Sequence, residues 1–274
     1  MQSIDIHSVI AAKMPGKRVP ECLIRYLERI THAREINAFM EAHPDLKGLD
    51  FLRAVIYDEF QCDFEVQGLY HLPKDNKPLL FVSNHPLGGL DGMILTLLLS
   101  EQRQRNIKVI VNDLLMNLEP LEEFFVPVNK TGSQTRAEVK AQKALWASDS
   151  DILTFPAGAC SRRKGLCGKI EDLEWKNTFI RRAQQTGRTI VPIYFEGRNS
   201  NFFYRLSFWR RLFGLPNIEM LYLADEMYRS RGKCFDIYIL PPFTVADLSS
   251  SKTDKQNAQL IKHRVYENHY PPSR

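Results

Sequence analysis

The chain has 274 residues, 44% of them hydrophobic and 25% charged, which excludes wholesale disorder and suits one large domain or a domain with an appendage. Mean hydropathy is −0.30, and the longest clean apolar run, residues 93–99, is broken by Thr96 and far shorter than the roughly 20 apolar residues of a spanning helix. Lys and Arg number 37 against 32 Asp and Glu, a balance of +5 that admits nucleic acid, an anionic lipid surface or a phosphorylated cofactor and selects none of them.

The start, MQSIDIHSVIAAKMPGKR, has no long apolar stretch, so no secretory signal is expected. Five scattered cysteines (Cys22, Cys62, Cys160, Cys167, Cys234) read as reduced thiols of a cytoplasmic chain. Cys160 and Cys167 are too far apart for a Cys-x-x-Cys pair and no His-x-x-x-His accompanies them, so no metal site is expected.

In chain order, residues 1–62 read as a helical N-terminal segment. Apolar residues recur at helical spacing from Pro20 to Met40, Pro44 and Gly48 interrupt, and a short helix follows over Leu49–Phe60. From residue 63 the pattern alternates. Strands are predicted at Phe64–Leu69, Pro78–Val82, Ile107–Val111, Phe124–Val128, Ile152–Phe155, Thr189–Phe195, Ile218–Leu223 and Phe235–Leu240. Helices are predicted at Asp91–Leu99, Thr135–Ala147 and Leu173–Gln185. Alternation of this length gives an α/β class with a mixed, largely parallel sheet flanked by helices, spanning residues 63–245, and leaves 246–274 as a C-terminal tail. Sites in such sheets lie beyond the carboxyl ends of strands, where polar punctuation falls after Val82, Phe155 and Phe195.

The densest chemistry is Ser83-Asn84-His85-Pro86-Leu87-Gly88-Gly89-Leu90-Asp91-Gly92. A histidine leaves a buried strand, two glycines permit a tight turn, and an aspartate heads an apolar helix. Asp91 can cap that helix, or accept the His85 Nδ1–H and leave Nε2 free as a base. The residues alone leave both roles open.

NHPLGGLDG resembles the first block of the glycerolipid (lysophosphatidic acid type) acyltransferases. Phe155-Pro156-Ala157-Gly158 followed by Ser161 and Arg162 resembles their third block, and Val191-Pro192-Ile193 their fourth. The three blocks keep the family's order across roughly residues 65–245. A hemolysin-like branch, which includes ornithine- and glycine-lipid O-acyltransferases, is closer still. The residues that suggest it are FPAG-x-x-SR, Trp175-Lys176-x-x-Phe179 and Tyr194-Phe195-x-Gly197-Arg198-Asn199-Ser200. Two departures stand out. His and Asp are separated by five residues instead of four, and Ala157 and Cys160 occupy the glutamate and arginine positions that serve a glycerol-phosphate acceptor.

The resemblance implies the glycerolipid acyltransferase fold and an O-acyltransferase with His85 and Asp91 as catalytic dyad. It implies no cofactor: the acyl donor is a thioester substrate, acyl carrier protein or CoA. The acceptor is a lyso-lipid hydroxyl, and the departures favour a lyso-amino-acid (glycine-type) lipid over 1-acyl-glycerol-3-phosphate. Asn84, Gly88, Gly89, Phe155, Pro156, Gly158, Ser161, Arg162, Arg163 and Arg198 are the expected substrate-binding residues. The arginines suit a carboxylate or phosphate because the guanidinium fork binds either in bidentate fashion. Phe202, Leu206, Trp209 and Phe213 fall on one helical stripe flanked by Arg205, Arg210 and Arg211, and are the expected membrane contact of a protein peripheral to the inner face of the cell membrane. A non-enzymatic membrane-active protein is the alternative of another class. A nucleic-acid partner is not expected, because the charge is diffuse and no recognition motif accompanies it.

Overall fold

The computed structural model describes residues 4–13, 16, 18–111, 119–127 and 136–267. Four short helices come first: α1 (Ile6–Lys13), α2 (Glu21–Thr31), α3 (Ala33–Ala42) and α4 (Gly48–Arg53), the last running into a π-turn over Ala54–Glu59. The helical run expected over Pro20–Met40 is broken at His32, whose left-handed φ of 50° ends α2 and starts α3. α2 and α3 present Ile24 and Ala33 to a small core shared with Ile6 of α1.

A seven-stranded sheet follows, built from β1 (Asp63–Gln67), β2 (Leu79–Ser83), β3 (Ile107–Val111), β4 (Phe125–Pro127), β5 (Asp151–Thr154), β8 (Thr189–Phe195) and β9 (Cys234–Ile239). The strand order is β1-β9-β8-β2-β5-β3-β4. Pairing is parallel throughout except between β8 and β9. The expected mixed, largely parallel sheet is therefore what forms. A two-stranded ribbon, β6 (Arg162–Arg163) with β7 (Ile170–Glu171), lies outside it. Val128 and Thr135, the ends of two predicted elements, lie outside the described residues.

β2 is central and fully buried as Leu-Leu-Phe-Val-Ser, as expected of a strand covered on both faces. One face packs against α5 (Leu90–Arg103), which buries Ile94, Leu95 and Leu98 with Phe81, Val191 and Ile237. The other receives α6 (Arg136–Ala147), α7 (Thr178–Thr186) and α10 (Asp254–Glu267). The segment 246–274, expected as a tail, thus contributes a core helix. Ala258, Ile261 and Val265 recur at helical spacing on α10 and are buried with Leu80, Val82 and Ile190 of the sheet.

α8 (Asn201–Leu212) and α9 (Leu223–Tyr228) complete the fold. The strand predicted at Ile218–Leu223 does not form: Ile218–Tyr222 is a 3-10 turn leading into α9. A short apolar run has no periodicity that separates strand from helix. Here the sheet positions beside β8 are already taken by β2 and β9, while Glu219 turns inward to two arginines.

Candidate active site

The parallel strands β2, β5 and β8 end together, and the chain turns after each converge there. Asn84 links two of them. Its amide oxygen accepts the Phe195 N–H at 2.7 Å and its amide nitrogen donates to the Phe195 carbonyl at 2.9 Å. Expected to touch substrate, Asn84 is instead 2% exposed and clips the exit of β2 to the end of β8.

The turn 85–91 folds around a buried carboxylate. Asp91 Oδ2 lies 2.9 Å from His85 Nδ1 and accepts the Leu87 N–H at 3.0 Å. Oδ1 accepts the Gly89 and Gly92 N–H groups at 3.1 and 2.9 Å. The two roles that the residues left open therefore coexist. One carboxylate satisfies backbone donors at the start of α5 and holds the imidazole. Burial pushes the Asp91 carboxyl up, but the His85 ring and the hydrogen bonds from His85, Leu87 and Gly92 outweigh it and hold Asp91 below the usual carboxylate range. An ionised carboxylate only accepts, so the Nδ1 facing it carries the proton and Nε2 is left to take one. Gly88 adopts φ of 83°, and a Cβ there would sit 3.1 Å from both Cys160 Cβ and Leu223 Cδ2, so the extra residue of this turn is absorbed where only glycine fits well.

The turn after β5 supplies the other wall. The Phe155 ring stacks on the His85 imidazole with centroids 4.1 Å apart, which helps to fix the ring plane. His85, Gly88, Gly89, Phe155, Pro156 and Gly158 line one cavity of about 820 Å³. It continues between apolar side chains including Met40, Phe51, Met93, Phe124 and Met227. An imidazole at the wall of a space this large and apolar is placed to act on a long hydrocarbon substrate.

The remaining expected residues behave differently. Ser161 is buried and donates its hydroxyl to Asp172 at 2.7 Å. Arg162 is buried too. It donates to the Cys160 carbonyl at 2.7 Å and pairs with Glu219 at 3.0 Å, while Arg210 pairs with the same carboxylate at 2.9 Å. Burial pushes Glu219 up, and the arginines more than reverse that. An arginine whose fork is occupied by protein groups in this way is not available to a substrate anion, contrary to expectation. Arg163 and Arg198 are: each donates to the single amide oxygen of Asn201 at 2.8 Å, and neither has a carboxylate partner among the described residues. On α8, Phe202 and Trp209 are exposed, as is Phe213 just past its end, whereas Leu206 is only half-exposed. Cys160 lines the cavity, but burial pushes its thiol up, away from nucleophilic use.

Comparison with known proteins decides the family. The family model for Acyltransferase matches residues 8–270. The chain belongs to the Acyltransferase family. Lyso-glycine lipid O-acyltransferase of Phocaeicola vulgatus is 44% identical over 267 residues, covering 96% of this chain and 94% of that protein. Lyso-glycine lipid O-acyltransferase of Bacteroides thetaiotaomicron is 43% identical over 266 residues, 96% of each chain. Among solved structures, the 1-acyl-sn-glycerophosphate acyltransferase of Thermotoga maritima aligns with a TM-score of 0.49 at 16% identity, covering 98% of this chain and 90% of that one. The protein is thus an acyl-transferring enzyme, and the non-enzymatic alternative falls away. No helix of this acyltransferase is long and apolar enough to cross a membrane among the described residues.

Sequence reasoning missed two residues of this acyltransferase that organise the site. Asp172 holds the His85 main chain, and Glu219 neutralises Arg162. They lie 87 and 57 residues from those partners, beyond any local pattern.

Proposed function

We propose that the enzyme is a lyso-glycine lipid O-acyltransferase, moving an acyl group from a thioester of acyl carrier protein or CoA to the hydroxyl of an N-(3-hydroxyacyl)glycine. The observation that carries this reading is near-full-length identity of 43–44% to two relatives of that name. The site supports it. A hydroxyl is a poor nucleophile near neutral pH, and a base that removes its proton during attack contributes about 10²–10⁴-fold. His85 Nε2 takes that proton while Asp91 stabilises the imidazolium. The hydroxyl oxygen bonds to the thioester carbon, the carbon–sulfur bond breaks, and the proton passes to the departing thiolate. The apolar cavity beside His85 takes hydrocarbon.

Arg163 and Arg198 are the groups we assign to an anionic part of the donor or acceptor. The exposed aromatics of α8, extended by Leu212 and Leu215, are assigned to contact with a membrane surface, on which the enzyme would act from the cytoplasmic side. Turnover measured with purified protein tests the acceptor. Acylation of N-(3-hydroxyacyl)glycine, lost in His85→Ala with an unchanged melting curve, is expected. Turnover of lysophosphatidate in its place would overturn the assignment.

A further inference from the structure

Asp91 holds the imidazole of His85; a second carboxylate holds its main chain. Asp172, 3% exposed in the turn ahead of α7, accepts the His85 N–H at 3.1 Å and the Ser161 hydroxyl at 2.7 Å on Oδ1. Its Oδ2 accepts Trp175 Nε1–H at 2.8 Å. The Ser161 N–H donates in turn to the His85 carbonyl at 2.7 Å, so residues 161 and 172 hold both main-chain groups of His85. Behind them stands α10. The Asp172 N–H donates to the Tyr266 hydroxyl at 2.8 Å and Lys262 donates to the Asp172 carbonyl at 2.6 Å.

We propose that Asp172 is a positioning residue of the acyl transfer: ionised, it clamps the His85 main chain and sets a second negative charge behind the imidazole that must become an imidazolium. The inference rests on the reading of His85 as the base. Two of the three groups that Asp172 faces are N–H donors, so both of its oxygens are held as acceptors toward the main chain of His85 and the indole of Trp175. Burial holds its carboxyl above the usual carboxylate range, and the bonds from Ser161, Trp175 and His85 offset that only in part. The charged and titratable groups around His85 are Asp91 from α5, Asp172, and the Cys160 thiol across Gly88; Arg162 beyond Cys160 is matched by Glu219, and Lys262 and Tyr266 back Asp172 from α10. A base displaced by about 1 Å can lose about 10²-fold in rate, which is what a rigid clamp on the main chain prevents.

The test uses Asp172→Asn combined with Trp175→Phe, because the new amide N–H would otherwise oppose Trp175 Nε1–H. Trp175→Phe alone is the reference. The double variant should lose about tenfold or more in kcat with acceptor KM within about threefold. The acid limb of its kcat/KM profile should move to lower pH, since losing a nearby negative charge makes the imidazolium easier to deprotonate. Damage to the fold alone would not move that limb. A loss of kcat smaller than about tenfold, or an unmoved limb, overturns the proposal. Should the double variant fail to fold, Tyr266→Phe removes the hydroxyl that fixes the Asp172 N–H; lowered kcat at unchanged KM supports the clamp, and wild-type kcat overturns it. His85→Ala measured alongside separates the failures. An active His85→Ala refutes the base, whereas an inactive one beside a normal Asp172 variant refutes only the clamp.

Discussion

The turns after β2 and β5 meet at one cavity and carry similar ingredients, glycines beside charged side chains, yet they use charge in opposite ways. After β2, Asp91 is buried and fully engaged: three backbone N–H groups and His85 converge on it, and the imidazole it holds stays at the cavity wall. After β5, Arg162 is buried so that it cannot act on substrate. Glu219 and the Cys160 carbonyl occupy its fork, and it braces the turn against the 3-10 segment before α9. The neighbouring Arg163 stays nearer the surface, donating to the Asn201 amide and lying over the Tyr204 ring, with no carboxylate among the described residues. The comparison teaches that a basic residue beside a motif is informative only once its burial and partner are known. A buried charge must be neutralised locally, and an exposed one can be neutralised by a ligand.

Breaking the first half of the contrast has the largest expected effect. Asp91→Asn replaces an acceptor of four donors by a group that must itself donate, and it removes the charge that fixes the Nδ1–H tautomer. We expect kcat to fall by about 10³–10⁴-fold with acceptor KM nearly unchanged, read in steady-state kinetics beside a melting curve. Activity within about tenfold of wild type would mean that Asp91 only organises the helix start. Breaking the second half should cost stability instead. Glu219→Gln leaves Arg162 and Arg210 without a counter-charge in a buried site. A loss of about 3–5 kcal/mol follows, or a Tm lower by about 10 °C in a chain of this size. If the variant melts normally but its KM for the thioester rises, Arg162 reaches substrate after all.

The same contrast explains what could be read from the sequence. His85 and Asp91 lie six residues apart on one turn, so strand exit, glycine pair and helix start all showed in a short window. The parallel core showed as well, because β2 and β8 are continuous apolar runs. The fate of Arg162 did not show, since Glu219 comes from a stretch whose apolar residues imitate a strand. Asn84 was placed correctly at the strand exit, but its partner, the Phe195 main chain, is 111 residues away and decides that it clips the sheet. The buried apolar residues of α10, at 258, 261 and 265, are set among nine polar or charged ones, a stripe too sparse to distinguish from a solvated tail.

Helix α8 carries the contrast to the surface, because Arg210 turns inward to Glu219 while Trp209 and Phe213 turn outward. Trp209→Ser with Phe213→Ser should weaken co-sedimentation with anionic vesicles by about tenfold or more, as burial of each aromatic is worth about 1.5–3 kcal/mol. The melting curve should not change, since neither ring is buried in the fold. Unaltered vesicle binding would move the membrane contact elsewhere.

The smallest effect is expected at Arg163 and Arg198, and it is the sharpest probe of the exposed class. Their guanidinium groups meet on one amide oxygen, an arrangement that leaves two positive charges side by side without a carboxylate. Because both already sit in high dielectric, removing either should leave Tm unchanged. A substrate anion that bridges them would gain about 1 kcal/mol from each, so Arg163→Gln or Arg198→Gln should raise KM about fivefold at constant kcat. Added salt should erode the wild-type advantage, because screening acts on exposed charges and spares buried ones such as Arg162. Running both variants against donor and acceptor in turn identifies which substrate carries the anion. A KM that stays put for both substrates would reduce the pair to solvated side chains and leave substrate recognition to the cavity and His85 turn alone.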